Sequence, residues 1–512
     1  MATAVAAATS ALVSRTEERR LASSDALDTK ERGKLGQFFT PAPAADFISA
    51  LATLPDAHEL RVLDPGAGAG SLTASLVARI VRERPGTRIH VTACEIDPNL
   101  HATLAATLED CVKTAQSHGA HVEVDLIQGD FIAWAGEPGE MLEQQRELFD
   151  IVIMNPPYKK LAASSRERKI VGSVCTETSN LYTAFMALGV HLLAPGGQLL
   201  AITPRSFANG PYFKPFRQYF LNRMHLDRVH IFEARNKVFA DTSVLQENVI
   251  FSATRSDATD RRPVTVSTSI SYSDDLRQRT VPYVEMVHPD DHEFFIHISA
   301  DEEDTELAAR LASLPASMPS LGLQVSTGRV VDFRSKEHLR PDEVEGAVPL
   351  IYPLHMREGA IHWPVPGAKK NNAIMLTDAT RKLTFPSGHY VVVKRLSSKE
   401  EKRRVIAAVF DPEEIPCTNI GFENHVNVFH CSGSGLPKQI ARGLCLWLNS
   451  TLLDQFIRRF NGHTQVNATD LRNLRYPSLE QLEALGQAWP QGVWLAQQKI
   501  DDLIEQYLQA SA

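Results

Sequence analysis

The sequence predicts a doubly wound α/β domain followed by a separate domain of mixed α+β type. Between residues 36 and 255, short β-branched runs alternate with longer amphipathic stretches, which is the pattern of strands joined by helical crossovers. Beyond about residue 300 the chain becomes irregular and rich in proline. Its length of 512 residues is sufficient for two large domains.

Seven short runs in the first half are predicted as strands, at residues 61–63, 89–93, 122–127, 151–154, 198–202, 228–231 and 248–251. Helical periodicity fills most of the intervals between them, for example at 72–82, 100–117 and 182–193. This alternation predicts parallel pairing through right-handed crossovers. Ligands are then expected at the carboxyl ends of the strands.

The composition divides the chain into four parts. Residues 1–35 are weakly patterned and are predicted to form a frayed N-terminal arm that ends in a helix, ahead of the α/β domain at 36–255. A polar, proline-containing stretch follows, so residues 256–300 are predicted to be a connecting segment. Residues 301–512 are predicted to form the second domain, with short strands such as 330–333 and 390–393 and with C-terminal helices.

The composition also excludes several classes of protein. An apolar fraction of 43% and a charged fraction of 22% are ordinary for globular proteins and argue against a disordered or fibrous chain. No run approaches the ~18 apolar residues that a membrane helix needs, and the first residues do not resemble a secretory signal. We therefore expect a soluble, cytoplasmic protein.

No metal site or disulfide framework is indicated. The six cysteines include no CxxC pair, so they are interpreted as small buried side chains in a reducing compartment. His292, Glu293 and His297 miss the HExxH spacing by one residue, which removes the second histidine from the helix face that a metal would need. No metal cofactor is expected.

The charge distribution leaves a nucleic-acid partner possible despite a net charge of −8. Acidic residues are concentrated at 290–306, whereas basic residues dominate 159–169 and 394–404. Each run alone is also compatible with a solvated helix face. Nucleic acid would therefore bind to particular faces of the protein.

Three predicted strand ends carry groups suited to one adenosine. A glycine-rich loop, residues 64–71, follows the first strand and opens a helix, so its backbone can approach a ligand closely. Glu95 ends the second strand, where a carboxylate can accept hydrogen bonds from a ribose diol. Asp130 and Phe131 follow the third strand and offer an acceptor for an exocyclic amine and a ring for stacking.

The most specific motif is Asn155-Pro156-Pro157-Tyr158, which follows the fourth strand. The two prolines stiffen the backbone and remove two N–H donors, so the loop presents carbonyls and the Asn155 amide oxygen as acceptors. Tyr158 offers a plate for stacking. Taken alone, the motif could be only a tight turn, but its position after a parallel strand favours a site for a planar amine.

The order of these motifs resembles that of the gamma class of N6-adenine DNA methyltransferases from restriction–modification systems. Residues 36–41, with the sequence GQFFTP, are similar to the N-terminal cofactor motif of this class. Residues 180–182 with Phe185, the Pro-Gly-Gly at 195–197 and residues 249–251 also fit the family pattern. The resemblance is strong over 36–255 and continues weakly at 462–471, which is similar to an element of target-recognition domains.

The resemblance implies a Rossmann-like methyltransferase sheet, S-adenosylmethionine as the cofactor, and defined roles for single residues. Asn155 and the Pro156 carbonyl hold the substrate amine, and Tyr158 and Phe251 stack on the two faces of the target base. The methionine part, the ribose and the adenine of the cofactor are held by Thr40, Pro41, Asp64, Gly66, Gly68, Gly70, Glu95, Asp130, Phe131 and Phe185.

Basic residues close to the catalytic motif and in the second domain are predicted to contact DNA. We expect Lys159, Lys160 and Arg166 to contact the phosphates around the flipped base. In the second domain, phosphate contacts are expected mainly from the basic run and the C-terminal region. The candidates there are Lys394, Arg395, Arg403, Arg404, Arg458, Arg459, His463 and Arg472.

The sequence thus predicts a bacterial enzyme that methylates adenine N6 in double-stranded DNA and protects it from a separately encoded restriction endonuclease. A monomer or weak dimer is expected. One alternative is a methyltransferase with the same motif acting on RNA or on a protein glutamine. Two others are a bifunctional restriction enzyme, for which we expect no nuclease domain upstream of residue 36, and a silent DNA-binding protein, which the intact catalytic motif disfavours.

Overall fold

The structure is a computed structural model, and it describes residues 2–26, 39–136, 147–232, 248–257, 259–272, 274–289, 291–299, 301–397, 401–460 and 465–509. The chain divides into two compact units, residues 1–300 and 301–512. Within the described residues, none of the helices combines the length and the apolar character that a bilayer span requires.

The first unit alternates helices and strands along most of its length. Its helices are α1 (Ala2–Ala26), α2 (Ala42–Ala50), α3 (Ser71–Glu83), α4 (Pro98–Gln116), α5 (Phe131–Gly136), α6 (Arg166–Val174), α7 (Leu181–Leu192), α8 (Lys214–Leu221) and α9 (Tyr283–Met286). Its strands are β1 (Glu59–Asp64), β2 (Arg88–Glu95), β3 (His121–Gln128), β4 (Phe149–Met154), β5 (Leu193–Pro204), β6 (Met224–Phe232), β7 (Asn248–Arg255), β8 (Val264–Ser269) and β9 (Arg277–Val281).

These strands form one nine-stranded sheet with the order β3-β2-β1-β4-β5-β7-β6-β8-β9. Strands β1 to β5 pair in parallel, as predicted. The expectation of parallel pairing is wrong for β7, which is antiparallel to both β5 and β6. All seven predicted strands are present, and the predicted doubly wound fold class is confirmed.

Helices cover both faces of the sheet, which explains why its central strands are apolar throughout. In β4, Val152 and Met154 belong to one hydrophobic cluster, whereas Ile151 and Ile153 belong to another. Successive side chains of a strand point to opposite faces, so a strand buried on both sides must be apolar at every position.

The two flanking segments are more ordered than the sequence predicted. Helix α1 buries Leu12 in the core of the first unit, and its Arg15 and Arg19 donate to Asp110 of α4 at 2.9 and 2.7 Å. Residues 256–300, expected to connect the domains, instead contribute β8 and β9 to the sheet. The polar stretch before β8 is therefore a loop within the first unit.

The second unit contains three further sheets among its described residues, with six, five and two strands, and the two-stranded sheet pairs Ala316–Ser317 with Arg475–Tyr476. Its strands are β10 (Ala316–Ser317), β11 (Gln324–Thr327), β12 (Leu339–Arg340), β13 (Ala347–Ile351), β14 (Met356–Arg357), β15 (Ala360–Ile361), β16 (Ala373–Met375), β17 (Thr384–Pro386), β18 (Tyr390–Lys394), β19 (Ala407–Phe410), β20 (Asn419–Phe422), β21 (Val426–His430) and β22 (Arg475–Tyr476). The six-stranded sheet has the order β11-β21-β18-β19-β15-β14, and the five-stranded sheet has the order β12-β16-β13-β20-β17.

The helices of this unit are α10 (Glu302–Ala312), α11 (Asp332–Ser335), α12 (Asp378–Arg381), α13 (Lys438–Leu448), α14 (Thr451–Phe460), α15 (Ala468–Arg472), α16 (Leu479–Ala488) and α17 (Gln497–Gln509). The predicted strand at 390–393 lies in β18, and the predicted C-terminal helices are present. The predicted strand at 330–333 is wrong, because residue 332 already begins the short helix α11.

Helices α13 and α16 approach each other through two glycines. A Cβ atom on Gly443 would lie 1.8 Å from the Leu482 carbonyl oxygen, and one on Gly486 would lie 1.9 Å from that of Gln439. Both are closer than any side chain allows, so the backbones touch directly. This contact fixes the C-terminal helices of the second unit against one another.

We predict that Gly443→Ala destabilises the second unit by about 1–3 kcal/mol or more, because the added methyl group must separate two packed helices. Gly172→Ala in α6 is the matched control, since outside its own helix the nearest neighbour of the added Cβ is the Glu177 side chain, 4.0 Å away. That control should be neutral or slightly stabilising. Thermal and urea unfolding of both variants measures the difference, and equal stability of the two would contradict the account.

Candidate functional site

A cleft of about 280 Å³ lies at the carboxyl ends of β1 to β4, as expected for a parallel sheet. Several predicted site residues meet in it, although they are distant in the sequence. The predicted residues that line it are Thr40, Gly66, Gly68, Glu95, Asp130, Phe131, Asn155, Lys159 and Phe185. Of the other residues in its wall, Phe39, Pro157 and Leu181 belong to predicted motifs, whereas Ile96, Leu100 and Glu167 were not predicted.

The glycine-rich loop forms one wall of the cleft. Gly68 has a φ of +57°, a conformation that glycine adopts without strain, and its backbone N–H donates to Glu95 Oε2 at 2.8 Å. The Ala67 N–H donates to the Cys94 carbonyl at 2.9 Å. The loop is therefore held against the end of β2 by backbone groups.

Gly70 has a packing role and is not among the described residues that line the cleft. It precedes α3 with a φ of +86°, and a Cβ atom there would lie 2.8 Å from the Thr107 methyl group of α4. The Thr107 hydroxyl also donates to the Ala69 carbonyl at 2.9 Å. Gly70 therefore allows α3 and α4 to pack, and its predicted role at the cofactor stays a prediction.

Asp64 is also absent from the described lining of the cleft. Its side chain is fully buried, and its Oδ2 accepts a 2.8 Å hydrogen bond from the Thr73 hydroxyl of α3. The other oxygen has no hydrogen-bond partner among the described residues. Burial raises the pKa of Asp64 to about 7. This carboxyl therefore joins β1 to α3 from within the core, and its predicted role at the cofactor stays a prediction.

Glu95 presents its carboxylate to the cleft while backbone groups hold it in place. Oε2 accepts from the Gly68 N–H, and Oε1 accepts from the Asp97 N–H at 2.8 Å. Burial raises the pKa of Glu95, and the two backbone donors oppose that effect. Beside it, Ile96 lines the cleft, and its side chain is 52% exposed. Its position directly after Glu95 in the sequence could have predicted this.

The end of β3 supplies the opposite wall. Asp130 Oδ1 accepts from the Ile132 N–H at 2.9 Å, which fixes the start of α5. The rings of Phe131 and Phe185 lie 4.9 Å apart, centroid to centroid. The structure therefore brings together the predicted acceptor and both predicted aromatic residues.

The side-chain amide of Asn155 is held from both ends. Its Nδ2 donates to the Thr40 hydroxyl at 3.1 Å, and its Oδ1 lies 3.1 Å from the Tyr158 hydroxyl, which donates. A second acceptor for Tyr158 is the Ile202 carbonyl at 3.3 Å. With this orientation Oδ1 faces Tyr158 and Nδ2 faces Thr40, and the two hydroxyls hold the amide in place.

Other parts of the two loops have supporting positions. Pro156 is buried, and the neighbouring Pro157 lines the cleft. Pro41 lies ahead of α2, where its carbonyl accepts from the Ala45 N–H at 3.0 Å. These prolines set the backbone path that presents Thr40 and Asn155.

Phe251 cannot serve as the second stacking plate in this arrangement. Its side chain is 1% exposed and packs between Phe207 and Phe220, with ring centroids 5.7 and 6.0 Å away. It is a core residue of the first unit, so its predicted catalytic role is wrong here. Tyr158 is half-buried and packs edge-on against Tyr182 at 6.2 Å.

Two of the basic residues that follow the catalytic motif are exposed at the surface close to it. Lys159 lines the cleft, and Lys160 forms an isolated β-bridge with Asn180. Arg166, also exposed, begins α6. Their contact with DNA remains a prediction.

The basic run of the second unit is largely engaged within the protein. Arg404 is fully buried and donates to the Ser397 carbonyl, so its predicted contact with DNA is wrong. Arg403 donates to the carbonyls of Asn449 and Ser450 at 2.7 and 2.9 Å. These arginines hold β18, β19 and the C-terminal helices together.

The other predicted DNA contacts in this unit also have intramolecular partners. Lys394 pairs with Glu401 at 2.7 Å, and Arg395 donates to the Asn424 carbonyl at 3.2 Å. The remaining partners are Asp454 for Arg458, Glu303 for Arg459 and the Val325 carbonyl for Arg472. His463 lies outside the described residues.

We predict that Asp64 makes the stability of the first unit depend on pH. The ordinary pKa of this carboxyl is 3.8, and its pKa in the folded protein is about 7. At a pH between these two values, the carboxyl is protonated in the folded protein and ionised in the unfolded chain. The free energy of unfolding should therefore decrease as the pH rises from 4 to 7, by up to about 1.4 kcal/mol per pH unit. Asp64→Asn should remove this decrease.

Urea unfolding at pH 4, 5.5 and 7 measures the effect. The exposed Asp56 supplies the control variant, Asp56→Asn, which should follow the wild type at each pH. If the curves of the wild type and Asp64→Asn run parallel, the buried carboxyl does not carry the pH dependence.

Comparison with known proteins identifies the family. A model described as Eco57I restriction-modification methylase matches residues 95–239. The chain is 41% identical to the type II methyltransferase M.PstI of Providencia stuartii over 96% of each chain. It is 42% identical to M.BsuBI of Bacillus subtilis over 94% of this chain and 95% of the relative.

Among solved structures, the fold resembles the type IIL restriction-modification enzyme MmeI in complex with DNA. The TM-score is 0.50 at 12% sequence identity, and the match covers 88% of this chain and 70% of that chain. That likeness concerns the fold alone. From its sequence identity to full-length relatives, the chain belongs to the type II methyltransferases of restriction–modification systems.

Proposed function

We propose that this methyltransferase acts on double-stranded DNA and transfers a methyl group to N6 of adenine, after the base is flipped out of the duplex. The observation that carries the proposal is the Asn155 amide. It lies in the wall of the cleft, between Thr40 and Tyr158, at the end of β4. Such an acceptor suits a planar exocyclic amine.

S-adenosylmethionine is the methyl donor of this family, and the residues of the cleft fit it. Glu95 offers carboxylate oxygens to the ribose, while Asp130 can accept from the adenine amine. Ile96, Phe131 and Phe185 supply apolar surface for the adenine ring. When bound there, the donor supplies an electrophilic methyl group.

The role of Asn155 follows from the chemistry of the substrate amine. The lone pair of an adenine amine is delocalised into the ring, so the nitrogen is a weak nucleophile. Hydrogen bonds from its protons to Asn155 Oδ1 and to the Pro156 carbonyl favour a pyramidal nitrogen with an available lone pair. Methyl transfer is then accelerated by the position of the amine and by electrostatic stabilisation.

The Tyr158 hydroxyl must share or release Asn155 Oδ1 when the amine arrives. Its alternative acceptor, the Ile202 carbonyl, lies at 3.3 Å, so the hydroxyl retains a partner after release. The aromatic ring of Tyr158 remains beside the Asn155 side chain and provides a surface for the base. Stacking there offsets part of the cost of flipping, which is a few kcal/mol.

The exposed cations at the cleft suit a DNA substrate. Lys159, Lys160 and Arg166 lie beside the catalytic loop and can contact phosphates around the flipped nucleotide. We propose that methylation protects bacterial DNA from a separately encoded endonuclease, as expected from the sequence. A monomer or weak dimer could modify the strands of a palindrome in turn.

The test uses S-adenosylmethionine labelled on its methyl group, with duplex DNA, RNA or a protein extract as the acceptor. After digestion of the DNA to nucleosides, we expect the label in N6-methyl-2′-deoxyadenosine. Label confined to RNA or to protein would instead support the alternative substrates that this catalytic motif allows. Label on cytosine would refute the adenine assignment.

We predict that Asn155→Ala lowers kcat by about 10²–10³-fold, because it removes an acceptor that matters most in the transition state. The Kd for S-adenosylmethionine, measured by calorimetry, should change little. The exposed Asn222→Ala serves as the control and should keep wild-type turnover. Full activity of Asn155→Ala would exclude the proposed role.

We further predict that Thr40→Val lowers kcat about tenfold, since the Asn155 Nδ2 loses the acceptor that orients its amide. Thr40→Ser keeps the hydroxyl and should retain most of the rate. Measuring kcat and the Kd for S-adenosylmethionine separates this role from cofactor binding. A weakened Kd with an unchanged kcat would show that Thr40 acts only on the cofactor.

A further inference from the structure

The second unit presents an exposed aromatic side chain, Phe333, on the short helix α11. Its side chain is 69% exposed, and the guanidinium of Arg334 lies 5.3 Å from the ring centroid. A single exposed apolar residue is common on protein surfaces. The surroundings of Phe333 make this one informative.

Three segments of the chain meet around α11, and all are rich in cations. The Lys370 ammonium lies 2.6 Å from Asp332 Oδ2, which joins residues 369–370 to α11. The Arg329 guanidinium lies 3.4 Å from the Lys382 carbonyl, which joins residues 381–382 to the same region. We call this surface the Phe333 face and define it as Arg329, Phe333, Arg334, Lys336, Lys369 and Lys382.

Four cations of this face, Arg334, Lys336, Lys369 and Lys382, are exposed, whereas Arg329 donates to the carbonyls of Lys382 and Thr384. Among the residues that the structure describes, no ion pair involves Arg334, Lys336, Lys369 or Lys382. Acids also lie near this face: Asp332 pairs with Lys370, Glu337 is exposed 3.3 Å from His338, Glu423 acts electrostatically on Lys370, and the exposed Asp378 lies on α12. The arginines at 403 and 404, by contrast, bind carbonyls of their own unit.

A small hydrophobic core supports the face from below. It contains Val330, Leu339, Val348, Leu350, Tyr352 and Ile374. The Tyr352 hydroxyl donates to Asp332 Oδ1 at 2.7 Å, which ties α11 to this core. Phe333 and Arg334 are therefore presented from a fixed base.

We propose that the Phe333 face is a contact surface for duplex DNA. Lys336, Lys369 and Lys382 contact phosphates, and Phe333 with Arg334 lies against the bases of a groove. This inference rests on the proposed action on DNA and adds to it the surface of the second unit that holds the substrate. In this proposal the basic residues of the Phe333 face contact DNA, whereas Arg403 and Arg404 are bound within the protein.

The test measures the affinity of the full-length protein for a fluorescein-labelled duplex of mixed sequence at several salt concentrations. Losing one phosphate contact should reduce the salt slope by about 0.9, which is about eightfold in Kd at 0.1 M salt. We expect this result for Lys336→Ala and for Lys382→Ala. Phe333→Ala should raise Kd with no change of slope.

The exposed Lys499 of α17 provides the matched control, Lys499→Ala. It should leave both Kd and slope within error of the wild type. The proposal is overturned if Lys336→Ala and Lys382→Ala behave like this control, or if the control loses as much affinity as they do. Thermal unfolding of each variant confirms that the fold is intact.

Failure of this inference differs from failure of the proposed function. If the wild type methylates DNA while the variants bind it normally, DNA lies on another surface and the enzyme assignment stands. If the wild type neither binds nor methylates duplex DNA, both proposals fall. Labelling of DNA by wild-type enzyme is therefore measured with the same protein preparation.

Discussion

The site depends on one constraint of parallel sheets, which is that their strands end at the same edge. Strands β1 and β2 pair in register from Glu59 with Arg88 to Asp64 with Ala93, and β4 lies on the other side of β1. The glycine loop, Glu95 and Asn155 follow these strands directly. Residues far apart in the chain therefore line one cleft, with no long loop needed to bring them together.

Within that cleft, two pairs of hydrogen bonds decide what the polar groups can do. The backbone N–H groups of Gly68 and Asp97 hold the Glu95 carboxylate, and Thr40 and Tyr158 hold the Asn155 amide. Both acceptors are fixed before any ligand arrives. Such preorganisation is what a reaction without an obvious catalytic base requires.

Much of this arrangement could be predicted from the sequence, because glycine loops, strand-end carboxylates and the Asn-Pro-Pro-Tyr motif carry local signals. Whether a given side chain is buried has no such local signal in the sequence. Asp64, Phe251 and Arg404 have the right residue types and positions in the chain, yet they are buried in the core. The antiparallel pairing of β6 and β7 did have a signal in the sequence, because the connection between them lacks the helix pattern of a parallel crossover.

The second unit was harder to predict for a related reason. A run of basic residues indicates charge, but whether that charge faces solvent depends on carbonyls and carboxylates brought close by folding. The cations around Phe333 are scattered over three segments, and only tertiary structure gathers them. The prediction from one stretch of sequence therefore favoured the basic run at 394–404, whose Arg403 and Arg404 donate hydrogen bonds within the protein.

The central claim is that Asn155 receives an adenine amine in the same cleft that binds the methyl donor. A crystal structure of the protein with a short duplex and an unreactive analogue of S-adenosylmethionine tests it most directly. We predict an adenine outside the helix, with its exocyclic nitrogen bonded to Asn155 Oδ1 and the analogue beside Glu95. An adenine that stays stacked in the duplex, or an analogue bound away from Glu95, would contradict the account.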